Sequence, residues 1–376
     1  MNKKSIELTL LISVIIISLF GIIMIYSSSN IWALYKYNDS YKYLKNQSLF
    51  FIIGLIIIYF VSKIDYKIYY KYSNKILLLC TILLILVLIP GIGTIRNGSR
   101  SWFGIGSFGI QPSEFAKLGL IIFTSKYLSN NTRKKTFKEV IPILLITFLI
   151  FGIIMLQPDF GTGIIIVMTI IGLLFVSGLN LKIFIRFGIV GLIGIIILIL
   201  LAPYRLKRIL SFLNPWSDPL GSGFQIIQSL YSIGPGGLFG LGFGNSIQKH
   251  FYLPEPQTDF IFSVISEEFG FLGILIISTL FIIIFYNSLK ISIRCDDLFG
   301  KYLSFGITFG LIFLTILNLC VVVGLIPVTG VTLPFISYGG SSLLVSMLSI
   351  GIVLNISREN IWIITLFTVQ YVYEKK

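Results

Sequence analysis

Long runs of apolar residues dominate this sequence and limit what it can fold into. The segment "LTLLISVIIISLFGIIMIY", residues 8–26, carries no charge and is long enough to cross about 30 Å of hydrocarbon as a helix. Such runs recur along the 376 residues, of which 56% are hydrophobic and 12% are charged. A soluble protein of this length needs roughly twice that charged fraction. Because a chain in lipid must satisfy its own backbone hydrogen bonds, we expect an all-α, multi-pass membrane protein.

Ten apolar segments are candidates for transmembrane helices. The first should stay attached, because it exceeds the apolar core of a signal peptide and no A-x-A-like cleavage site follows it. One connection, residues 203–259, is far longer than the others. Because the spans run along nearly the whole sequence, we predict a single transmembrane domain over residues 1–376. Its spans are expected near 7–27, 48–62, 75–91, 112–128, 139–156, 162–178, 183–202, 260–286, 302–324 and 332–355.

The basic residues predict the orientation of these spans. Of the 29 lysines and arginines, 19 fall in the two tails and in alternate gaps between spans. Cytoplasmic loops carry such an excess, so both termini should be cytoplasmic and residues 203–259 should face the outside. The same placement explains the net charge of +14 without a nucleic-acid partner.

The cysteines and the histidine give little support to disulfide or metal chemistry. Cys80, Cys295 and Cys320 lie in or beside different apolar runs, at no spacing typical of a metal site. We expect free thiols. His250 is the one histidine of the sequence, so a histidine-based metal site is excluded.

The long connection is rich in aromatic, aliphatic and glycine residues, which argues against disorder. Its piece "GFQIIQSLYSI", residues 223–233, has an apolar face typical of an interfacial helix. A packing cap over the helix bundle explains the same pattern. Both interpretations stay open at this point.

Several charged residues lie where a membrane makes them costly. Pro112 suits the first turn of a helix, and Glu114 and Lys117 follow three residues apart, on one helical face. An ion pair inside a span usually faces a cavity or a polar partner. A self-neutralising structural pair is the alternative. Asp159, in "LQPDFGTG", is expected to cap the helix that follows it.

The stretch "YLPEPQTDFIFSVISEEFG", residues 252–270, combines two prolines with several acids. The prolines favour an extended approach to the eighth span, and Thr258 or Asp259 is expected to cap that span. Polar residues then recur on one helical face below Asp259. We interpret this face as the wall of a water-filled cavity open to the outside. Its members are Ser263, Ser266 and Glu267.

A second broken segment, "GLIPVTGVTLPFISYGGSS" at residues 324–342, interrupts the last two spans. Broken backbone at membrane depth is tolerated where it is buried in protein or lines a cavity. The outer side also carries Arg205 and Arg208, which are suited to binding phosphate, and the carboxylate of Asp259, which is suited to a general base.

Taken together, these motifs resemble the SEDS family of peptidoglycan glycosyltransferases, which includes FtsW, RodA and SpoVE. The resemblance rests on "NGSRSWFGIGSFGIQPSEFAKL", "QPDFGTG", "YRLKRILSFLNPWSDPLGSGFQ", "GLGFGNSIQKHFYLPEPQTDFIFSVISEE" and "GLIPVTGVTLPFISYGGSS", in order along nearly the whole chain. The fourth motif is most similar to the FtsW and SpoVE branch. Ser99, Ser266 and Phe269 depart from the residues that are commoner in the family.

The resemblance implies a multi-pass enzyme of the bacterial cytoplasmic membrane that polymerises lipid II at the outer face. The 4-hydroxyl of one lipid II attacks the anomeric carbon of the growing strand, and lipid pyrophosphate leaves. The family's essential aspartate falls on Asp259, the expected general base. Lys117 is expected to keep Asp259 ionised, and Glu114 to orient Lys117. The candidate substrate-binding residues are Glu114, Lys117, Arg100, Trp102, Arg205, Arg208, Glu255 and Ser337.

The resemblance also implies partners. These are lipid II, membrane lipid and a class B penicillin-binding protein that cross-links the new strand. A divalent cation, Mg²⁺ or Mn²⁺, suits a pyrophosphate leaving group, although the sequence shows no clustered ligand set. A lipid II flippase or another transporter fits the ten spans as an alternative, and a non-catalytic scaffold is a second. Polymerisation by the purified protein separates these alternatives from the enzyme.

Overall fold

The computed structural model describes residues 3–96, 98–104, 109–130, 137–200 and 203–373. This part of the chain is mostly helical, with one small antiparallel hairpin and a short 3₁₀ turn at Pro215–Ser217. The hairpin strands are β1 (Thr94–Arg96) and β2 (Ser99–Trp102). The α-helices are α1 (Lys3–Tyr37), α2 (Lys42–Val61), α3 (Lys67–Leu86), α4 (Pro112–Asn130), α5 (Phe137–Met155), α6 (Phe160–Val176), α7 (Leu181–Leu200), α8 (Pro203–Leu213), α9 (Phe224–Ile233), α10 (Ile261–Ile293), α11 (Leu298–Val322) and α12 (Gly340–Tyr373).

The predicted spans coincide with α1 to α7 and α10 to α12. Within the described residues, seven helices are long and apolar enough to cross a membrane, namely α1, α2, α3, α5, α10, α11 and α12. Helix α6 is apolar but shorter, with 17 residues. Helices α4 and α7 occupy the two remaining predicted spans. The prediction of an all-α, multi-pass membrane fold is confirmed.

Some predicted boundaries differ from the observed ones. Helix α1 continues to Tyr37, well past the predicted end at residue 27. Helix α12 begins at Gly340 rather than at 332, because residues 332–339 form turns around Pro334. The hairpin between α3 and α4 was not predicted.

Close contacts between elements depend on small residues, as is common in membrane bundles. Helix α1 packs against α10 and α2, and α2 packs against α12. At Gly21 of α1, an added Cβ would lie 2.7 Å from the Cα of Ile336, so α1 lies directly on the broken segment before α12. This contact joins the first helix to the region that holds the candidate site.

The helix α9 lies on the bundle. Its residues Ile226 and Ile227 are buried, and it packs against α10 and α11. The Ser229 hydroxyl lies 2.7 Å from the Val322 carbonyl oxygen at the end of α11. The helix predicted in residues 223–233 is therefore confirmed, but its buried apolar residues face protein. The structure favours the packing cap over the interfacial helix.

Candidate functional site

The backbone of Asp259 is fixed by a helix from another part of the chain. The amide nitrogen of Asn318, on α11, donates hydrogen bonds to the Asp259 carbonyl oxygen at 2.8 Å and to the Val331 carbonyl oxygen at 2.7 Å. One buried side chain thus joins the start of α10 to the broken segment before α12. Asn318 was not predicted as a site residue. An asparagine within an apolar run of membrane length is the signal that could have identified it.

The side chain of Asp259 is half-buried and lies beside the hydroxyl of Thr258. Thr258 Oγ1 is 2.9 Å from Asp259 Oδ1 and 2.8 Å from the Glu255 carbonyl oxygen. Glu255 adopts a left-handed conformation, with φ of 45°, where the chain turns toward α10. The prediction that Thr258 or Asp259 caps α10 is wrong, because the helix begins at Ile261 and the cap position belongs to Phe260. The Asp259 carboxylate is thus not used as a helix cap.

Glu114 and Lys117 form the predicted ion pair. Lys117 Nζ lies 2.9 Å from Glu114 Oε1 in the first turns of α4, and the two side chains are 12% and 10% exposed. The predicted pairing is confirmed, whereas the orientation of Lys117 by Glu114 and the influence of Lys117 on Asp259 stay predictions. The pair borders a cavity of about 40 Å³ between α4, α6, α11 and α12, large enough for one or two water molecules.

Asp159 belongs to the same polar region as this ion pair. Its Oδ1 accepts a hydrogen bond from the Thr162 backbone N–H at 3.1 Å, so the predicted cap of α6 is confirmed. Its Oδ2 accepts a second bond from Gln111 Nε2 at 3.0 Å, just before α4. Burial raises the pKa of the Asp159 carboxyl. The negative charge of Glu114 also raises this pKa, and the positive charge of Lys117 lowers it. The carboxylate therefore joins α6 to α4 as well as capping a helix.

The broken segment connects Asp159 with Asp259. An added Cβ at Gly161, two residues after Asp159, would lie 2.7 Å from the Thr329 carbonyl oxygen. Val331, which accepts the bond from Asn318, lies in the same segment. The prediction that this broken backbone borders the polar site is consistent with these contacts.

Ser337 lies in the turns that precede α12. Its hydroxyl oxygen accepts a hydrogen bond from the Leu333 backbone N–H at 2.8 Å, and the residue is 4% exposed. Its carbonyl oxygen accepts a bond from Gln47 Nε2 at 3.2 Å. These contacts stabilise the segment, and a role for Ser337 in substrate binding stays a prediction.

Arg100 and Trp102 lie on the hairpin strand β2, and both are half-buried. The guanidinium of Arg96, on β1, lies over the Trp102 ring at 4.9 Å from its centroid. The Ser99 hydroxyl donates to the Gln157 carbonyl oxygen in the turn before α6. The hairpin therefore lies against the turn that contains Asp159.

The two loop arginines are placed only by their backbone. Arg205 and Arg208 belong to α8, but their side chains lie outside the described residues. Their binding of phosphate stays a prediction.

The polar face of α10 does not line a water-filled cavity. Ser263, Ser266 and Glu267 are each at most 1% exposed. The Ser263 hydroxyl lies 2.7 Å from the Ser229 hydroxyl of α9, and Glu267 accepts a hydrogen bond from the Ile247 backbone N–H at 2.9 Å. Our interpretation of this face was wrong, because the long loop folds back and covers it.

The structure offers no ready ligand set for a divalent cation in the part of the chain that it describes. No three His, Cys, Asp or Glu side chains there lie close enough together to hold a metal ion. The cation implied by the resemblance therefore does not fit a protein-only site among these residues.

Comparison with known proteins shows which family this chain is similar to. A profile of the FtsW, RodA and SpoVE family, described as cell cycle proteins, matches residues 7–361. Stage V sporulation protein E of Bacillus subtilis (strain 168) is 50% identical over 359 residues, which cover 95% of this chain and 98% of that protein. A probable peptidoglycan glycosyltransferase FtsW of Geobacter sp. (strain M18) is 39% identical over 355 residues, covering 94% and 97%.

The fold agrees with these sequence matches. A chain in a solved structure described as "Structural coordination of polymerization and crosslinking by a peptidoglycan synthase complex" has a TM-score of 0.77 to this chain at 30% identity. The match covers 93% of this chain and 97% of that chain. The sequence matches and the multi-pass helical fold thus agree, and the protein belongs to the SEDS family that contains FtsW, RodA and SpoVE.

Proposed function

We propose that this protein of the bacterial cytoplasmic membrane polymerises lipid II into glycan strands at the outer face, with Asp259 as general base. The observation that carries the proposal is the setting of Asp259. Asn318 fixes its backbone, the Thr258 hydroxyl contacts its carboxylate, and the side chain is only half-buried. The family and its members named as probable peptidoglycan glycosyltransferases support the reaction type.

The reaction needs a base more than it needs an acid. A sugar hydroxyl is a poor nucleophile, and a carboxylate within hydrogen-bond reach accepts its proton as the new bond to the anomeric carbon forms. The bond from that carbon to the pyrophosphate oxygen breaks at the same time. Lipid pyrophosphate leaves as an anion, so it does not need protonation. One carboxylate therefore suffices, and Asp259 takes that role.

Cationic groups are needed where the negative charge of the leaving group develops. We assign this task to Lys117, Arg100, Arg205 and Arg208. Lys117 is held in place by Glu114 at 2.9 Å, in a largely buried position where water screens its charge weakly. A positively charged group in such a position stabilises an anion more strongly than one on an exposed surface.

The partners follow from the same proposal. The substrate is an amphiphile whose lipid stays in the bilayer while its pyrophosphate and sugars lie at the surface. A solved chain with the same fold belongs to a peptidoglycan synthase complex that couples polymerisation with cross-linking. We therefore propose a class B penicillin-binding protein as the transpeptidase partner of this chain.

Replacing Asp259 by asparagine tests the mechanism. Asp259→Asn keeps the size of the side chain and can still accept a bond from Thr258, but it cannot take up a proton. Loss of a general base typically lowers the rate about 10²–10⁴-fold. We expect the variant to fold, to bind its transpeptidase and to make almost no glycan from lipid II.

The matched control is Asp218→Asn. Asp218 lies in the same long loop and accepts bonds from Ser222, with its side chain 46% exposed. Its loss should leave polymerisation within about twofold of wild type. A thermal melt, a partner pull-down and a gel for glycan strands on one preparation decide the outcome. Polymerisation by Asp259→Asn within about tenfold of wild type would contradict the mechanism. A wild type that moves lipid II but makes no strand would favour a flippase.

A further inference from the structure

Helix α10 is interrupted nine residues after its start. Gly270 has φ of 61° and ψ of −157°, a conformation outside the helical region. The break separates residues 261–269, the outer half-helix, from the membrane-spanning remainder of α10. Asp259 lies two residues before the start of this outer half-helix. Because the helix is not continuous, the lower part of α10 alone does not fix the direction of the outer half.

A segment of the long loop completes the hydrogen bonding around the break. We call residues 236–249 the supporting loop. Two of its backbone N–H groups donate to carbonyls of the outer half-helix, and two of its carbonyls accept from N–H groups just beyond Gly270. The pairs are Leu241 N to Glu267 O at 2.9 Å, Gly242 N to Glu268 O at 3.0 Å, Phe271 N to Gly237 O at 2.9 Å and Leu272 N to Leu238 O at 3.1 Å.

A buried ion pair fixes the other end of the supporting loop. Lys249 Nζ lies 3.3 Å from Glu268 Oε1, and the two side chains are 3% and 0% exposed. The Ser27 hydroxyl, on α1, contacts both Glu268 oxygens at 2.6 and 2.8 Å. Glu268 also accepts from the Ser246 backbone N–H at 3.3 Å. One carboxylate therefore connects the outer half-helix, the supporting loop and α1.

The network around the supporting loop contains buried charge. Two adjacent carboxylates, Glu267 and Glu268, are each 1% exposed, and burying charge is costly unless it is paired and hydrogen-bonded. Both acids point to the supporting loop and none of their described contacts reaches the polar region around Asp159. Their charge is therefore committed to fixing the outer half-helix in one orientation.

We infer that Lys249 and Glu268 are positioning residues, which act through the supporting loop to hold Asp259 in its reactive orientation. The inference rests on the proposed function and names what sets the geometry of its base. A displacement of about 1 Å at a reacting group can cost about 100-fold in rate. A loosened support should therefore lower the rate of the chemical step and leave lipid II binding nearly unchanged.

A pair of glycines allows a matched test. At Gly236 an added Cβ would collide with the carbonyl oxygen of Ser266, whereas at Gly234 the nearest atom, the Leu230 carbonyl oxygen, is 4.0 Å away. Gly236→Ala should separate the supporting loop from the outer half-helix, and Gly234→Ala should not. We expect kcat for lipid II polymerisation to fall at least tenfold in Gly236→Ala, with KM within about twofold of wild type. Gly234→Ala should match the wild type in both.

The ion pair is tested by a double-mutant cycle. Lys249→Met and Glu268→Gln should each lower kcat, and the double variant should be no worse than the poorer single one, because both act on one interaction. If a variant does not purify folded, Ser27→Ala removes a single hydroxyl contact of Glu268 and is measured in its place. Values of kcat within twofold of wild type in Gly236→Ala and in these folded variants would overturn the inference.

A readout that does not depend on activity accompanies the kinetics. Hydrogen exchange of the amides in residues 261–269 should be faster in Gly236→Ala than in wild type, and unchanged in Gly234→Ala. Unchanged exchange in both variants would show that the loop does not support the half-helix. A wild type that makes no glycan while Gly236→Ala exchanges faster would instead contradict the proposed function and leave the support established.

Discussion

At the residue scale, three acids of one short stretch have different surroundings and different tasks. Asp259 is half-buried beside a hydroxyl, whereas Glu267 and Glu268 are each 1% exposed and bonded to the long loop. All three side chains carry a carboxylate, so the neighbouring residues decide what each one does. The carboxylates of Glu267 and Glu268 are bonded to donors of the long loop, whereas Asp259 stays partly exposed.

The Glu114–Lys117 pair leads to a prediction at the same scale. Removing one partner of a buried pair leaves an uncompensated charge, which typically costs about 3–5 kcal/mol, whereas replacing both is often neutral. Lys117→Met alone should therefore lower the melting temperature, and Glu114→Gln together with Lys117→Met should restore most of it. Neither variant should polymerise lipid II. Thermal melts and glycan gels check this, and an active double variant would show that the pair is only structural.

At the element scale, the helices are formed by apolar sequence and positioned by close contacts. Helix α6 is capped by Asp159, and α11 is capped by Asp297, whose Oδ2 accepts from the Gly300 backbone N–H at 2.8 Å. Such caps define where helices begin. Which helices become neighbours depends instead on surfaces that allow close approach, as Gly21 does for α1.

A comparison of two helical glycines tests this difference. Gly21→Ala would bring a Cβ to 2.7 Å from the Ile336 Cα, whereas Gly152, on α5, has no atom within 4 Å of an added Cβ. Gly21→Ala should lower the melting temperature, because the backbone at Ile336 cannot move without cost. Gly152→Ala should be neutral or stabilising by about 0.5–1 kcal/mol, since alanine restricts the unfolded chain. Equal melting temperatures for the two variants would contradict the proposed packing role of Gly21.

At the scale of the whole molecule, the candidate residues whose side chains the structure describes lie toward one end of the bundle. The first turns of α4, α6 and α12 and the approach to α10 all lie there, joined by Asn318, Gln111 and the broken segment. The distribution of basic residues predicts that this end faces the outside. A substrate whose pyrophosphate and sugars lie at the outer surface would meet the site there.

Thiol labelling tests this orientation. In a cysteine-free background, Leu220→Cys places a thiol on the long loop at a residue that is 89% exposed, and Asn180→Cys places one between α6 and α7. An impermeant maleimide applied to intact cells should label Leu220→Cys and not Asn180→Cys. The lysed-cell control should label both. The reverse pattern in intact cells would place the candidate site on the cytoplasmic side.

The class of fold and two local contacts of the candidate site could be predicted from the sequence alone. Apolar runs predict spans because a helix needs about 20 apolar residues to cross the hydrocarbon. The composition of such a run can be read directly from the sequence. The spacing of Glu114 and Lys117 predicted their pairing because residues three apart share a helical face. The position of Asp159 predicted a cap for the same local reason.

The contacts of the other polar residues could not be predicted from the sequence and became visible in the folded chain. The predictions for the cap of α10 and for the exposure of Glu267 were wrong, and the packing of α9 had stayed open, because each depends on contacts with residues distant in sequence. Asn318 bonds to Asp259, 59 positions away, and Ser27 bonds to Glu268, 241 positions away. Periodicity carries no information about such pairs. They are fixed by which helices pack together and by where the long loop returns to the bundle.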